Sequence, residues 1–417
     1  MNIFQQLTNH ETWSEYLEYK KEHRHLTRFE EKDLTEYITN REYLEAVRKL
    51  FDADKLFDAA ADFDARTADY NENLSSYIIP EKKQIRKMQT DKKRTVYMYP
   101  REVNYVLKLM TFLLLRKYDG IFSDNLYSFR VNTGVNRAMS GILHTPGLRS
   151  MYTYKVDISN YFNSIPVDAM CDLLQLVLAP DPEIADLLVR LLRDDHVLDK
   201  DILISESKGV MAGTPFAVFL ANVYLMDMDE EISADNLIYA RYSDDIIVIT
   251  DSPKTREEAE KKIRNILRQK GLSVNEKKEI RTSPGESWSF LGIEYCDGKI
   301  DISSVSKDKI KAKIRRKARA IKRWQIRKGL DDTKAVKAFI NAMNRKFFDS
   351  DSSHELTWAR WYFPVINTDE TLRELDKYMQ QWIRYLASGH HNKKSYEFTY
   401  EDMKKLGYIS LVREWYK

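Results

Sequence analysis

The sequence predicts an α/β fold in which a mixed centre lies between two helical ends. Apolar residues recur at three- and four-residue steps through the first 80 residues and again beyond Lys307. Between those ends, β-prone runs such as MYTYKVDIS (151–159) and YARYSDDIIVIT (239–250) alternate with helical runs such as VDAMCDLLQLVLA and FAVFLANVYLMDMDEEI. With 417 residues, 43% hydrophobic and 12% aromatic, the chain can build two or three domains with sizeable cores. The divisions fall at 1–80, a helical N-terminal extension; 81–300, the mixed region; and 301–417, a helical C-terminal unit.

The extension rests on EEKDLTEYITNREYLEAVRKLFDADKLFDAAADF, which has the helical period and no proline or glycine to break it. Its stretch 51–69 is strongly acidic. IRKMQTDKKRTVYMYP (85–100) changes character: basic residues flank a short β-prone segment that Pro100 closes, and EVNYVLKLMTFLLLRKY then resumes helical spacing. From Lys307 a basic helix is predicted, with Ile310, Ile314, Ala318, Ile321 and Trp324 on its one apolar face. The tail from Trp358 is rich in aromatics and predicts a compact helical unit.

Net charge is +3, too small by itself to mark a nucleic-acid binder, but its distribution is uneven. Residues 307–328 hold twelve Lys/Arg against one acid, Asp308, so this segment predicts a local polyanion surface. No run approaches the roughly 18 apolar residues of a membrane span, and MNIFQQLTNHETW lacks the apolar stretch of a signal peptide; the expectation is a cytoplasmic protein with no membrane partner. Cys171 and Cys296 are far apart and lack a nearby histidine, so they predict neither a disulfide framework nor a zinc site, and both read as buried small hydrophobes. His390 and His391 lie in a polar loop and read as loop residues.

The chemistry is carried by carboxylates. In YARYSDDIIVIT two β-prone runs meet at Ser243-Asp244, a pattern that suits a tight hairpin with acids at its tip. Adjacent Asp244 and Asp245 cannot both face one way on a regular strand, so a turn or a metal has to reconcile them. In YKVDISNYFNSIP, Asp157 sits in an apolar, β-prone run where an unpaired charge costs several kcal/mol, roughly, and calls for a positive neighbour. Three such carboxylates are the hard-oxygen set that two Mg²⁺ ions require for nucleotidyl transfer. A surface hairpin plus a lysine-paired Asp is the other reading of the same pieces.

Order and spacing add to this. KKRTVYMYP, FSDNLYSFRVNTGVNRA, YKVDISNYFNSI, KGVMAGTPFAVFLANVYL, YARYSDDIIVI, LSVNEKKE and WSFLGIEY occur in that order, and from about residue 85 to 295 the chain resembles reverse transcriptases of the group II intron and retron type. The resemblance implies a right-hand polymerase fold: fingers and palm to about residue 300, then a helical thumb. It implies that Asp157, Asp244 and Asp245 are catalytic and bind two Mg²⁺, with Mn²⁺ as the substitute, and that the backbone carbonyl of Ile158 completes a metal shell. For the incoming dNTP it implies Arg94, Arg86 and Lys87 at the triphosphate, Phe162 under the sugar, where it excludes a 2′-hydroxyl, and Gly213 with Pro215 beneath the nascent pair. Asn222 matches the asparagine on the following helix.

For nucleic acid the resemblance implies Arg130 and Asn132 along the template, and Trp288 and Gly292, with Phe290 and Leu291, in a primer grip. The thumb helix would follow the template–primer duplex through Arg315, Arg316, Arg319 and Arg323. The chain departs from many relatives at Ala212, where they carry Gln; at Ala217 and Val218, where they carry Ser-Pro; and at Ser243, where they carry Ala. The closing pattern LTWARWYFP…IRYLASG…YEDMKKLGYISLVREW is similar to that of bacterial defence-associated reverse transcriptases. It implies a cognate structured noncoding RNA as template, dNTPs as substrates, a DNA product and a role against phage. Two other functions remain open: a template-independent polymerase of the abortive-infection type, and a noncatalytic RNA-binding scaffold.

Overall fold

The N-terminal helices begin where the sequence supplies caps. Asn2 and Thr27 each accept a hydrogen bond from the backbone N–H three residues on, and Gln5 and Glu30 return the bond. These caps open helices Ile3–Thr8 and Arg28–Thr39, which with His10–Glu22 and Glu42–Phe51 make the helical extension. The computed structural model describes residues 1–23, 26–52, 78–86, 93–131, 133–235, 237–348, 358–390 and 393–417. The acidic stretch 53–69 lies outside them. Among the described residues no helix is long and apolar enough to cross a membrane.

The chain divides into two compact units, Met1–Ile142 with Met151–Arg281, and Leu143–Ser150 with Thr282–Lys417. The first holds two four-stranded sheets. One has strand order β2-β1-β4-β5, from β1 (Glu81–Arg86), β2 (Lys93–Met98), β4 (His196–Asp199) and β5 (Ile202–Ser205). The other has order β6-β7-β3-β8, from β3 (Tyr152–Asp157), β6 (Ile238–Tyr242), β7 (Asp245–Thr250) and β8 (Ile280–Thr282). β1 was not legible as a strand, because EKKQIR has little β propensity; it is set by antiparallel pairing with β2, from Glu81↔Met98 to Arg86↔Lys93, and by an ion pair of Lys82 with Glu206.

The core of this unit is built around Ala217–Tyr224, buried at every position but Val218. The predicted helix FAVFLANVYLMDMDEEI is in fact two, Ala217–Tyr224 and Met226–Ser233, separated at Leu225. Cys171 is buried as expected.

In the second unit β9 (Trp288–Phe290), β10 (Ile293–Cys296) and β11 (Lys299–Ile302) form an antiparallel meander. Cys296, expected to be buried, is only half-buried at the end of β10, its thiol donating to the Gly285 carbonyl. Ser303 caps the basic helix Ser304–Lys328, and Gly329, at φ +60°, ends it. Ile310, Ile314, Ala318 and Ile321 face inward as predicted. Trp324 does not: it is 37% exposed, and the buried position belongs to Gln325, whose amide donates to Asp332 at 2.6 Å. This helix packs with Asp332–Phe348 and Glu370–Ser388. The tail is anchored by buried Asp376, which accepts from Tyr408, Ser410 and the backbone N–H groups of Leu411 and Val412.

Candidate active site

β6 and β7 are joined by the two-residue turn Ser243-Asp244, with Tyr242 paired to Asp245. Ser243 has φ +60°, so the turn reverses the chain tightly, placing Asp244 at the tip and Asp245 as the first residue of β7. The turn is held on three sides. Ser243 N–H donates to Ser128 Oγ at 2.9 Å, Arg241 Nη1 donates to the Ser243 carbonyl at 3.3 Å, and Ile158 N–H donates to the Asp244 carbonyl at 2.9 Å. In an extended residue N–H and C=O point to one side, so the Ile158 carbonyl faces the hairpin as well.

β3 and β7 run antiparallel with Asp157 directly opposite Asp245. Like charges facing each other across a ladder are unfavourable, by roughly 0.2–1 kcal/mol, unless a cation intervenes. Asp157 Oδ2 accepts from Lys278 Nζ at 2.6 Å and Oδ1 from Asn275 Nδ2 at 3.3 Å. Asp245 Oδ1 lies 3.1 Å from Lys155 Nζ, an ion-pairing distance, yet this buried atom has no well-directed hydrogen bond. Among the described residues Asp244 forms no ion pair. Burial, and then Asp157, push the Asp244 carboxyl above the ordinary aspartate range. Burial also pushes Asp245 up, opposed by Lys155, with Asp157 and Asp244 adding to the rise.

Hard oxygen donors converging from two chain segments, one acid without an ion pair and one buried carboxylate oxygen without a hydrogen bond fit a divalent cation. Asp157, Asp244, Asp245 and the Ile158 carbonyl would hold it.

Beside the carboxylates, Arg94 of β2 sets its guanidinium carbon 5.7 Å from the centre of the Phe162 ring, and its charge pulls the Asp244 carboxyl downward. Gly213, at φ +103°, lies against β2: the Ala212 carbonyl accepts from Tyr97 N–H at 2.8 Å, and a Cβ on Gly213 would come within 2.8 Å of Val96 Cβ. Gly209 is tighter still. At φ +54°, an added Cβ would meet the Phe162 carbonyl and the Asn163 backbone at 2.6 Å, so Gly209→Ala must displace the segment that carries Phe162. We expect it to cost about 1–3 kcal/mol, read as a lowered Tm in thermal unfolding. Arg86 pairs with Lys93 across β1–β2. Lys87 and Asn132 lie outside the described residues.

Arg241, fully buried, backs the hairpin. Its Nε donates to Asp229 Oδ1 at 2.6 Å and its Nη2 to Asp229 Oδ2 and to the Asn222 carbonyl, while Tyr239 donates to Asp229 Oδ1 at 2.6 Å. Asn222 in turn donates to the Ser128 carbonyl at 2.9 Å and accepts from Ser128 Oγ, so its side chain positions the turn from within the core.

The family described as Reverse transcriptase (RNA-dependent DNA polymerase) matches residues 80–295, which is 216 of the 417 residues and includes all three aspartates. The chain belongs to the reverse transcriptase family. It is 24% identical over 226 residues to the Retron Ec86 reverse transcriptase of Escherichia coli, a match covering 53% of this chain. The chain thus spans 64% of the length of that curated relative. Among solved structures, apo telomerase from Candida tropicalis aligns over 81% of this chain and 68% of its own at 12% identity, with a TM-score of 0.46. Telomerase from Candida albicans with a fragment of telomeric RNA aligns over 80% and 62% at 11% identity, with a TM-score of 0.44.

The chain has the right-hand polymerase fold of this family, and its three aspartates stand on the sheet β6-β7-β3-β8 and the β6–β7 turn. The remaining residues expected at nucleic acid fall into two groups. Arg130 is no free cation: its side chain is 7% exposed, paired to Asp119 at 2.9 Å and donating to the Ser123 carbonyl at 2.6 Å, so it braces the loop leading to Ser128 instead of reaching outward. Trp288 is likewise buried, stacked on Tyr295 with ring centres 5.1 Å apart. The β9–β10 hairpin turns at Leu291 and Gly292, both at positive φ, and a Cβ on Gly292 would fall 2.9 Å from Ser306 Oγ and Tyr362 Oη. Arg315, Arg316, Arg319 and Arg323 are all exposed on the basic helix, with Arg319 stacked 6.0 Å from Trp382.

Sequence reasoning missed Lys155, Lys278, Asn275, Ser128, Arg241 and Asp229. Lys155 was within reach of it, being two residues from Asp157 on the same strand face. Lys278 and Asn275 come from a turn some 120 positions away, and no local pattern announces them. Asp194, Asp195 and His196 of the reverse transcriptase also draw together at the start of β4, their ligand atoms within 4.8 Å of one another. Buried Lys208 faces this cluster, donating to the His196 carbonyl at 3.2 Å, and its charge offsets part of that of Asp194 and Asp195.

Proposed function

We propose that the protein is an RNA-directed DNA polymerase that copies a cognate structured noncoding RNA in bacterial antiphage defence, acting in the cytoplasm. The observation that carries the catalytic reading is the convergence of Asp157, Asp244 and Asp245, two of them directly opposed across β3–β7. The noncoding RNA and the defence role rest on the resemblance of the C-terminal pattern. The reaction joins a primer 3′-oxygen to the α-phosphorus of a dNTP; the bond from that phosphorus to the β-phosphate bridging oxygen breaks, and pyrophosphate leaves. Two bound Mg²⁺ ions, or Mn²⁺ in their place, would supply the charge that lowers the hydroxyl pKa and stabilises the leaving group.

The chain's own residues do the rest. Ser128, Arg241 and Ile158 fix the turn so that the carboxylates need not reorganise during turnover. Arg94, positioned over Phe162, offers a fork of donors to the triphosphate. Phe162, at the position that the resemblance puts beneath the sugar, would leave no room for a 2′-hydroxyl. Phe162→Ala is therefore expected to raise incorporation of ribonucleotides relative to deoxyribonucleotides by about 10–200-fold, measured as the ratio of kcat/KM values in single-nucleotide extension.

The deciding experiment gives the purified protein a primed RNA, dNTPs and Mg²⁺ and sequences the product. DNA complementary to the template, absent with Asp244→Asn, is the expected result. Homopolymeric or random DNA would replace this reading with template-independent synthesis, and RNA binding without synthesis would replace it with the scaffold.

A further inference from the structure

Away from the palm, the helices His10–Glu22 and Arg101–Lys117 share a cationic ridge that the polymerase reading leaves unused. Lys108, Phe112 and Arg116 fall at four-residue steps on one helix; Tyr16, Tyr19, Lys20 and His23 fall at three- and four-residue steps on the other. The rings interlock: Phe112 lies edge-on to Tyr16 at 5.0 Å and 4.8 Å from Tyr19, which lies 4.1 Å from the His23 ring. Over them sit the cations. The Arg116 guanidinium carbon is 3.6 Å from the centre of Phe112 and 4.4 Å from that of Tyr19, Lys20 Nζ is 5.3 Å from Tyr16, and Lys108 Nζ is 5.5 Å from Tyr105.

These three cations have ring faces for partners and no acids. Among the described residues none of them forms an ion pair. Three or four residues from these cations along the chain the one acid is Asp119, beside Arg116, and it is committed to Arg130. Glu30, within electrostatic reach of Lys108, is held by the Thr27 cap. Burial, then Lys108 and Arg116, depress the pKa of Lys20, as expected of like charges held together. Cation–π contacts offset part of that repulsion, about 0.5–1 kcal/mol each at exposed sites, and hold the charges in a fixed array. A guanidinium stacked on its flat face keeps its N–H edge for an anion, and a spaced row of such edges matches successive phosphates.

We propose that Lys20, Lys108 and Arg116 form a contact for the phosphate backbone of RNA, on the N-terminal helices and separate from the carboxylate site. The choice of RNA among polyanions rests on the reverse transcriptase reading. The contact grips the template RNA outside the polymerising centre, so it contributes to affinity and not to the chemical step.

The test is fluorescence polarisation of a labelled single-stranded RNA with the full chain, without dNTPs, across a range of salt. The triple variant Lys20→Ala/Lys108→Ala/Arg116→Ala is expected to bind about tenfold or more weakly. Its slope of log Kd against log salt should be shallower by about two, since each phosphate neutralised on a single strand adds roughly 0.7 to that slope. Lys108→Glu, at an exposed position that packs only on a ring face, tests the same site without risk to the fold and should weaken binding in the same direction. Primer extension by the parent is read separately: RNA bound through the ridge but not copied would fail the polymerase reading and leave this contact standing. Parental affinity and slope in both ridge variants would overturn the proposal, as would a loss of affinity with the slope unchanged.

Discussion

Asp244→Asn is expected to stop DNA synthesis while making the metal-free protein more stable. The loss follows from the proposed chemistry: divalent cations held by these carboxylates would supply several kcal/mol, roughly, of transition-state charge stabilisation, so removing one ligand should lower kcat by about a thousand-fold or more. The gain follows from the electrostatics. Asp244 forms no ion pair among the described residues, and burial and Asp157 raise its pKa.

A carboxyl group whose folded pKa lies above its unfolded value binds its proton more tightly in the fold, so the stability it contributes is present at low pH and lost as pH rises through the folded pKa. At neutral pH the ionised Asp244 therefore works against folding, and the isosteric amide removes that penalty without disturbing the Asp244 carbonyl that Ile158 holds. We expect a gain of about 1 kcal/mol, or a Tm rise of about 2–4 °C for a unit of this size, in the presence of a chelator at pH 7. The difference should shrink as pH falls through the raised pKa of Asp244, where the parent's carboxyl is protonated too. Added Mg²⁺ should raise the Tm of the parent more than that of the variant. A variant less stable than the parent in chelator at pH 7 would remove the argument that the carboxylates are held together against their own repulsion.

What could be read from the sequence follows the same physics. Asp157, Asp244 and Asp245 were legible because charges in apolar, β-prone runs are costly and therefore informative, and because strand alternation and a two-residue turn have few solutions. The inward face of Ser304–Lys328 was legible through Ile310, Ile314, Ala318 and Ile321. At its edge the pattern failed. Trp324 and Gln325 are neighbours, and the choice between them was decided by Asp332, a partner on the next helix that lets the amide be buried. Arg130 and Trp288 matched family positions, but sequence alone could not say that Asp119 and Tyr295 occupy them. Lys278 and Asn275 reach Asp157 only because the chain returns to β3 from more than a hundred residues away.

The second large effect concerns Arg241 and Asp229. Removing either partner should destabilise the protein by about 3–5 kcal/mol, whereas replacing both with apolar residues of similar volume should restore much of that loss. Both side chains are wholly buried, and the pair is bidentate, with Tyr239 completing the carboxylate's shell. Asp229→Ala leaves a buried guanidinium without its counter-charge; Arg241→Met leaves a buried carboxylate with only a phenol. Arg241→Met/Asp229→Leu leaves no buried charge, and thermal or denaturant unfolding of the four proteins gives the coupling between them.

Stability is only half of the expectation, because the Arg241 guanidinium also donates to the Ser243 carbonyl and the Asn222 carbonyl, tying the Ser243-Asp244 turn to the core. The double variant should therefore fold but polymerise poorly, at least about tenfold below the parent, since the turn keeps only its Ser128 and Ile158 tethers. A double variant that recovers both stability and full activity would mean the pair serves packing alone. One that recovers stability without activity would separate the two roles and identify Arg241 as a positioning residue for Asp244 and Asp245.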